Sequence, residues 1–256
     1  MSERPAPLLE ARDLDLALGG LPVLDGLSLR VEPGEFVALV GPSGCGKSTL
    51  LSVLAGLAEP DAGRVLVDGS EAPGRLGDLT LMPQGDALMP WRTVLDNVTL
   101  APRLAGAGRR EAEEAARRTL GRFGLGGFER HYPHALSGGM RQRVALARTL
   151  LAGARAWLLD EPFGALDALT RADLRDVLAA TWADERPTAL LVTHDLDEAL
   201  LVADRVLVCG PRPARVTGEV RVGLPRPRRL DDAGLPEFAA LRAELLGALR
   251  SAGVLA

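Results

Sequence analysis

Lys47 is the single lysine in a chain that carries 30 lysine and arginine residues together. It stands in Gly41-Pro42-Ser43-Gly44-Cys45-Gly46-Lys47-Ser48, which reads G-x-x-x-x-G-K-S and is followed by Thr49. Every other basic position except the histidines took arginine. A nest of backbone N–H groups closes around a phosphate too tightly for a planar guanidinium. A compact ammonium on a flexible stem fits, and reaches the outer phosphates as a point charge. The Ser48 hydroxyl is placed to ligate Mg²⁺ held by those phosphates. The plain alternative is a glycine-rich turn with an incidental lysine. Taken alone, the loop leaves kinases, GTPases and ATPases open.

Two further groups can act on a phosphate. Ala156-Trp157-Leu158-Leu159 is an apolar run that ends in Asp160 and Glu161. An acid at the C-terminal end of a strand can hold phosphate-bound Mg²⁺, and its neighbour can polarise an attacking water. Shortly before, Leu136-Ser137-Gly138-Gly139-Met140-Arg141-Gln142 opens a helical pattern. A serine hydroxyl and a glycine N–H at a helix start can grip a γ-phosphate. The plain reading of Ser137 is a helix cap followed by flexible glycines. One nucleotide does not need two glycine-rich anion sites, so the second suggests two copies facing each other.

The elements that must position these groups follow from periodicity. Phe36-Val37-Ala38-Leu39-Val40 reads as a buried parallel strand feeding the loop, and Ser48 to Ala55 as a helix stopped near Gly56. The helix start and its dipole favour phosphate. Residues from Leu8 to Arg30 read as short strands, with Gly19-Gly20 and Asp25-Gly26 as turns. Arg64–Val67 and Leu79–Met82 are further strands. Thr93 to Leu151 turns helical, with amphipathic helices over Arg109–Phe123 and Met140–Leu151. Strands return at Ala156–Leu159, Thr188–Thr193 and Val206–Cys209 with helices between them, and Leu235–Leu246 reads as a last helix. Alternating strands and helices imply an α/β fold with a mainly parallel, doubly wound sheet. The Pro- and Arg-rich stretch Pro211–Arg229 reads as a solvated linker, with a partner or lipid-headgroup contact as the alternative.

Composition sets the bounds. The chain has 256 residues, 47% of them hydrophobic and 25% charged, with net charge −4. That argues against a chain-wide nucleic-acid surface. No apolar run approaches the ~20 residues that span a bilayer. Met1-Ser2-Glu3-Arg4-Pro5 lacks the apolar core of a signal peptide. Two cysteines, Cys45 and Cys209, make neither a disulfide framework nor a zinc site, which fits a reducing cytoplasm. No internal repeat is visible.

In order and spacing these motifs resemble the ATP-binding-cassette family over nearly the whole chain. The matching positions are the loop at 41–48, Gln84 after a strand, Leu136–Gln142 as the signature, Asp160-Glu161, the Asp167 loop, and His194 after a strand. The only two glutamines, Gln84 and Gln142, both fall in these motifs. The resemblance implies a P-loop NTPase of the cassette type. Its mainly parallel core sheet would carry an N-terminal antiparallel β subdomain, with residues 1–84 and 154–256 as core and 85–153 as an inserted helical subdomain. It implies ATP and Mg²⁺ as cofactors, with Ser48, Gln84 and Asp160 on the metal. Glu161 would be the base, His194 the γ-phosphate sensor, and Ser137, Gly138, Gly139 and Asp167 contacts to nucleotide across a dimer. His131 and His134 match no catalytic position.

Finer stretches resemble one importer group. Met89-Pro90-Trp91-Arg92-Thr93-Val94-Leu95-Asp96-Asn97-Val98 and Phe163-Gly164-Ala165-Leu166-Asp167-Ala168-Leu169-Thr170-Arg171 are similar to the nitrate, sulfonate and taurine importers. They are similar too to importers of the thiamine pyrimidine precursor, which share Met82-Pro83-Gln84. Trp91 could equally pack a core. Met140 stands where glutamine is commonest, and Leu18 where the family usually stacks an aromatic on adenine. The resemblance implies the ATP-hydrolysing subunit of a bacterial importer, peripheral on the cytoplasmic face of the cell membrane. It would pair with a second cassette, separate permease chains and an external solute-binding protein, and with no nucleic acid. The rivals are a soluble cassette ATPase acting on nucleic acid or ribosomes, and a small-molecule kinase.

Overall fold

The computed structural model describes residues 6–71, 78–164 and 166–254; Met1-Ser2-Glu3-Arg4-Pro5 and Ala165 lie outside them. The chain begins with β1 (Leu9–Leu18), β2 (Leu21–Val31), β3 (Phe36–Val40), α1 (Lys47–Leu54), β4 (Ala62–Val67), β5 (Ser70–Glu71) and β6 (Leu79–Met82). Four helices follow: α2 (Val94–Val98), α3 (Leu100–Leu104), α4 (Arg109–Arg122) and α5 (Gly138–Leu150). Then come β7 (Ala156–Asp160), α6 (Ala168–Glu185), β8 (Thr188–Thr193), α7 (Leu196–Val202), β9 (Arg205–Cys209), β10 (Val216–Arg221) and α8 (Pro236–Ser251).

The strands form two sheets, in the orders β2-β1-β4-β5 and β10-β9-β3-β8-β7-β6. The first is antiparallel; the second is parallel except for β10. Every residue of β3, β7, β8 and β9 is buried, as continuous apolar runs covered on both faces must be. Alternate side chains of β3 enter opposite cores. Phe36, Ala38 and Val40 join Trp157, Trp182 and the helical residues Val94, Val98, Leu120 and Val144. Val37 and Leu39 join β1, β2 and α1. Parallel register sets Val40 beside Thr193 and Val208, and Asp160 beside Val192. The C-terminal ends of β3, β7 and β8 therefore lie along one edge, where open α/β sheets place their ligands.

Two expectations are corrected. Gly19-Gly20 does turn the chain, with φ of 58° and 81°, but Asp25-Gly26 lies inside β2. Gly26, at φ 56°, donates its N–H to Asp15 Oδ1 at 2.6 Å, and the register slips between Leu14↔Leu27 and Leu16↔Leu24. The pair makes a bulge, the other use to which a strand puts a glycine of positive φ. Pro211–Arg229 is no solvated linker. It contains β10, and Arg228 is buried, donating to the carbonyls of Leu200, Val222 and Leu224. The Arg226 guanidinium lies 4.2 Å from the centre of the Trp182 ring. An arginine fork can satisfy several carbonyls at once, so a basic segment can be interior.

Candidate nucleotide site

Residues between β3 and α1 build the phosphate-sized cradle. Gly46 is the N-cap of α1 at φ 125° and no side chain caps the helix, so its first N–H groups stay open. A Cβ on Gly46 would lie 2.8 Å from the Val23 carbonyl oxygen, which excludes any larger residue. Lys47 is buried and donates from Nζ to the carbonyls of Gly41 and Pro42 at 2.9 and 2.8 Å. The ammonium is thus folded over its own loop. A cleft of about 370 Å³ opens above it, lined by Leu18, Val23, Ser43, Gly44, Gly46, Lys47, Ser48, Thr49, Gln84, Glu161 and Arg212. A larger hollow of about 450 Å³ lies between β1, β2, β9 and β10. There Arg12 pairs with Glu10 and Arg205 with Glu219, and the hollow contains none of the loop, so the smaller cleft is the site.

The acidic end comes from β7. Asp160 is buried, its Oδ1 has no hydrogen-bond partner, and burial holds its carboxyl above the usual range, with Ser48 and Lys47 pulling the other way. An orphaned buried acceptor is costly unless a cation or donor satisfies it. Glu161 follows at φ 46°, and its N–H donates to Val192 O at 2.9 Å. Its carboxylate is gripped on both oxygens. Gln84 Nε2 donates to Oε2 at 3.1 Å, and His194 Nδ1 lies 3.2 Å from Oε1. No cluster of three or more His, Cys, Asp or Glu side chains that could hold a metal occurs among the described residues. A hydroxyl, an amide and one carboxylate beside phosphates suit Mg²⁺, which takes few protein ligands.

Not every expected residue is in this cleft. Gly41 and Pro42 turn their carbonyls to Lys47, and Cys45 points inward to Cys209. Asp160 and His194 are not in the cleft wall but touch it through Ser48 and Glu161, whereas Ser137, Gly138, Gly139 and Asp167 do not line it. Ser137 caps α5, its Oγ accepting from Met140 N at 3.3 Å, and Gly138 begins that helix. Asp167 caps α6, with Oδ1 accepting from Leu169 and Thr170 N–H at 3.1 Å. Those N–H groups, Thr170's foremost, hold its carboxyl below the usual range. The two caps adjoin: a Cβ on Gly139 would lie 2.9 Å from Thr170 Cγ2. Trp91 fills no core; it is 74% exposed.

Sequence reasoning missed three arginines. Arg212 lines the rim near Leu18. Arg141 binds Asp86 Oδ2 at 2.9 Å, and Arg148 donates to the carbonyls of Ala87 and Asp86 at 2.7 and 3.0 Å, tying the loop after Gln84 to α5. In a chain so rich in arginine, the residue type carries no signal of its own.

A family model described as ABC transporter matches residues 24–164, and the chain belongs to that family. A taurine import ATP-binding protein of Chromobacterium violaceum is 43% identical over 230 residues, covering 88% of this chain and 88% of that protein. A nitrate import ATP-binding protein of Synechococcus elongatus is 44% identical over 92% of this chain, which spans 37% of that longer protein. The dimeric structure of a bacterial ABC transporter cassette superposes with a TM-score of 0.76 at 29% identity, over 84% of this chain and 98% of that one. A post-hydrolysis structure of that cassette, bound to ADP and phosphate, gives 0.75 at 28% identity.

Proposed function

We propose that this chain is the ATP-binding and ATP-hydrolysing subunit of an importer. The observation that carries the reading is the Glu161 carboxylate, held between Gln84 and His194 beside a buried Asp160 with one unpartnered oxygen and an open phosphate loop. On nucleotide binding, Lys47 exchanges the carbonyls of Gly41 and Pro42 for phosphate oxygens, and the N–H groups from Gly44 to Thr49 close around them. Ser48, Gln84 and Asp160 would hold Mg²⁺, which neutralises charge on the phosphate oxygens. Glu161 orients a water and takes its proton; His194 and Gln84 fix that carboxylate and register the γ-phosphate. Leu18, with Val23 and Arg212, forms the rim against the base.

Ser137, Gly138, Gly139 and Asp167 serve the nucleotide of a second copy, a reading supported by the dimeric relative and by their absence from this chain's own cleft. Residues 85–153 act as a helical subdomain that transmits closure of residues 1–84 and 154–256 to permease chains. Among the described residues no helix is long and apolar enough to cross a membrane, so the path for solute is assigned to those separate chains. The chain works at the cytoplasmic face of the cell membrane, with an external solute-binding protein presenting the cargo. Relatives named for taurine and nitrate import favour a small solute that carries an anionic oxygen group as that cargo.

The test is Glu161→Gln, which keeps shape and removes the base. The wild type should release phosphate from MgATP, while the variant binds MgATP, does not turn over and elutes as an ATP-dependent dimer on gel filtration. Wild-type turnover in the variant would remove Glu161 from its role.

A further inference from the structure

Cys45 and Cys209 are the two cysteines of the chain, both free and both buried. Their Sγ atoms lie 3.6 Å apart, although 164 positions separate them in sequence. Cys45 sits in the phosphate loop between Gly44 and Gly46, both of positive φ. Cys209 ends β9, between β3 and β10. We propose that this pair is an oxidation site: a hydroperoxide joins the two sulfurs as a disulfide, and the disulfide switches off nucleotide binding by pulling the loop out of shape. The consequence for binding rests on the nucleotide reading above; the chemistry of the pair does not.

The two sulfurs are unequal. Either thiol can donate to the other, but a Cys45 thiolate accepts from Cys209 and is favoured by Lys47 Nζ, 3.8 Å from Cys45 Sγ, so the Cys45 thiol is held below its ordinary range. The contact with Cys45, followed by burial, drives the Cys209 thiol well above it. Cys45 is therefore the attacking thiolate and Cys209 the resolving thiol. The Cys45 sulfur attacks one peroxide oxygen, the O–O bond breaks, and the departing hydroxide takes a proton to become water. Cys45 is left as a sulfenic acid. The Cys209 sulfur then displaces that oxygen; an S–S bond forms, the S–O bond breaks, and the Cys209 proton leaves with it as a second water. Two thiols and one hydrogen peroxide give one disulfide and two waters; with an organic hydroperoxide the first water is replaced by the corresponding alcohol. Cys45 is buried, and the open space beside its loop is the cleft lined by Gly44 and Gly46, which a nucleotide would fill.

A disulfide bond is ~2.05 Å long, so the sulfurs must close by about 1.5 Å. The main chain at Cys209 is held in place. Its strand is paired on both sides, Val216 being its partner on β10. Gly41 is pressed against it too, since a Cβ there would lie 2.8 Å from Cys209 O and 2.9 Å from Cys209 Cβ. Cys45 lies in a turn whose main chain closes by one long bond, Cys45 N to Pro42 O at 3.4 Å, and whose carbonyls at Gly41 and Pro42 are held by Lys47, the ammonium that a phosphate would draw away. The loop moves, and the N–H groups and ammonium flanking Cys45 move with it.

The experiment uses the full chain, reduced and then exposed to hydrogen peroxide with or without MgATP. It is alkylated with iodoacetamide in denaturant and weighed intact, and MgATP affinity is measured in parallel. The expected product is monomeric on a non-reducing gel, lighter by two hydrogens, closed to alkylation, and weaker for MgATP by at least about tenfold. Dithiothreitol should restore affinity, and MgATP present during oxidation should slow the loss. Cys209→Ala should bind MgATP like the wild type when reduced, and form a dimedone-trappable sulfenic acid instead of the disulfide. Two alkylatable thiols surviving peroxide in wild type would overturn the site. A disulfide that left MgATP affinity unchanged would overturn the switch. A reduced wild type that never bound MgATP would overturn the nucleotide reading, before any oxidant is added.

Discussion

Leu18 is 54% exposed at the rim of the cleft, where it shares the wall with Val23 and Arg212. A leucine offers a base dispersion contact and no π-face. The stacking it forgoes is worth roughly 1–3 kcal/mol by analogy with base–aromatic contacts. Phosphate contacts then carry most of the affinity, and they do not tell adenine from guanine. GTP should be hydrolysed within about tenfold of the ATP rate, and Leu18→Tyr should tighten MgATP by about tenfold without raising kcat. Equilibrium binding and steady-state rates for both nucleotides check this; strong ATP selectivity in wild type that survives Leu18→Ala would place the base elsewhere. Residues legible beforehand were those whose type is rare here and whose neighbours restrict it: Lys47 alone among arginines, Asp160-Glu161 at the end of an apolar strand. The Cys45–Cys209 contact was not legible, because no local pattern at Val206–Cys209 points to a loop so far away in sequence.

Between residue and fold stand the elements that tie the site together. The loop after Gln84 is held from one side by α5, through Arg141 on the Asp86 carboxylate and Arg148 on the carbonyls of Asp86 and Ala87. Burial holds the Arg148 guanidinium below its usual pKa, against the attraction of Asp86. Arg148→Ala leaves two carbonyls short of a donor and frees a loop whose glutamine grips Glu161. Turnover should fall by about tenfold while MgATP affinity changes by less than about twofold, because no loop contact to the phosphates is touched. A matching loss of affinity would show that Arg148 supports the whole cleft. Asp167 makes a different element-level case: Asp167→Ala removes the cap of α6 and should cost about 1 kcal/mol in urea unfolding. Most elements could be read from the sequence because apolar runs and helical stripes are local. The misread ones needed through-space information. Asp25-Gly26 has the composition of a turn but meets Asp15 across the sheet. Pro211–Arg229 has the composition of a linker but finds β9 on one side and the carbonyl of Leu200, far back in the chain, on another.

At the scale of the molecule, Ser137 and Gly139, the proposed grip on a partner's phosphate, lie outside the cleft around Lys47. Ser137 and Gly139 adjoin the start of α6, outside the wall around Lys47, while Leu169 beside them is 84% exposed. A helix start with open N–H groups and a serine at its cap suits a phosphate brought by another surface. The bacterial cassette that superposes on this chain is a dimer. In a symmetric pair each chain would complete its partner's site, an isologous contact in which both nucleotides lie at the joint. The two roles of Ser137 can be separated. Ser137→Ala removes the cap and should cost about 1 kcal/mol of stability. Ser137→Arg adds bulk and charge where a partner's γ-phosphate would sit. It should abolish turnover and leave MgATP binding by the single chain within about twofold of wild type. Mixing Ser137→Arg with Lys47→Ala then makes a sharp count. In the mixed dimer, one joint combines an intact loop with an intact Ser137, and the other carries both lesions. At most one site per mixed dimer can recover, so any restored activity should stay at or below half that of wild type. Recovery of full activity on mixing, or a Ser137→Arg chain that no longer binds MgATP by itself, would show that Ser137 acts within its own chain.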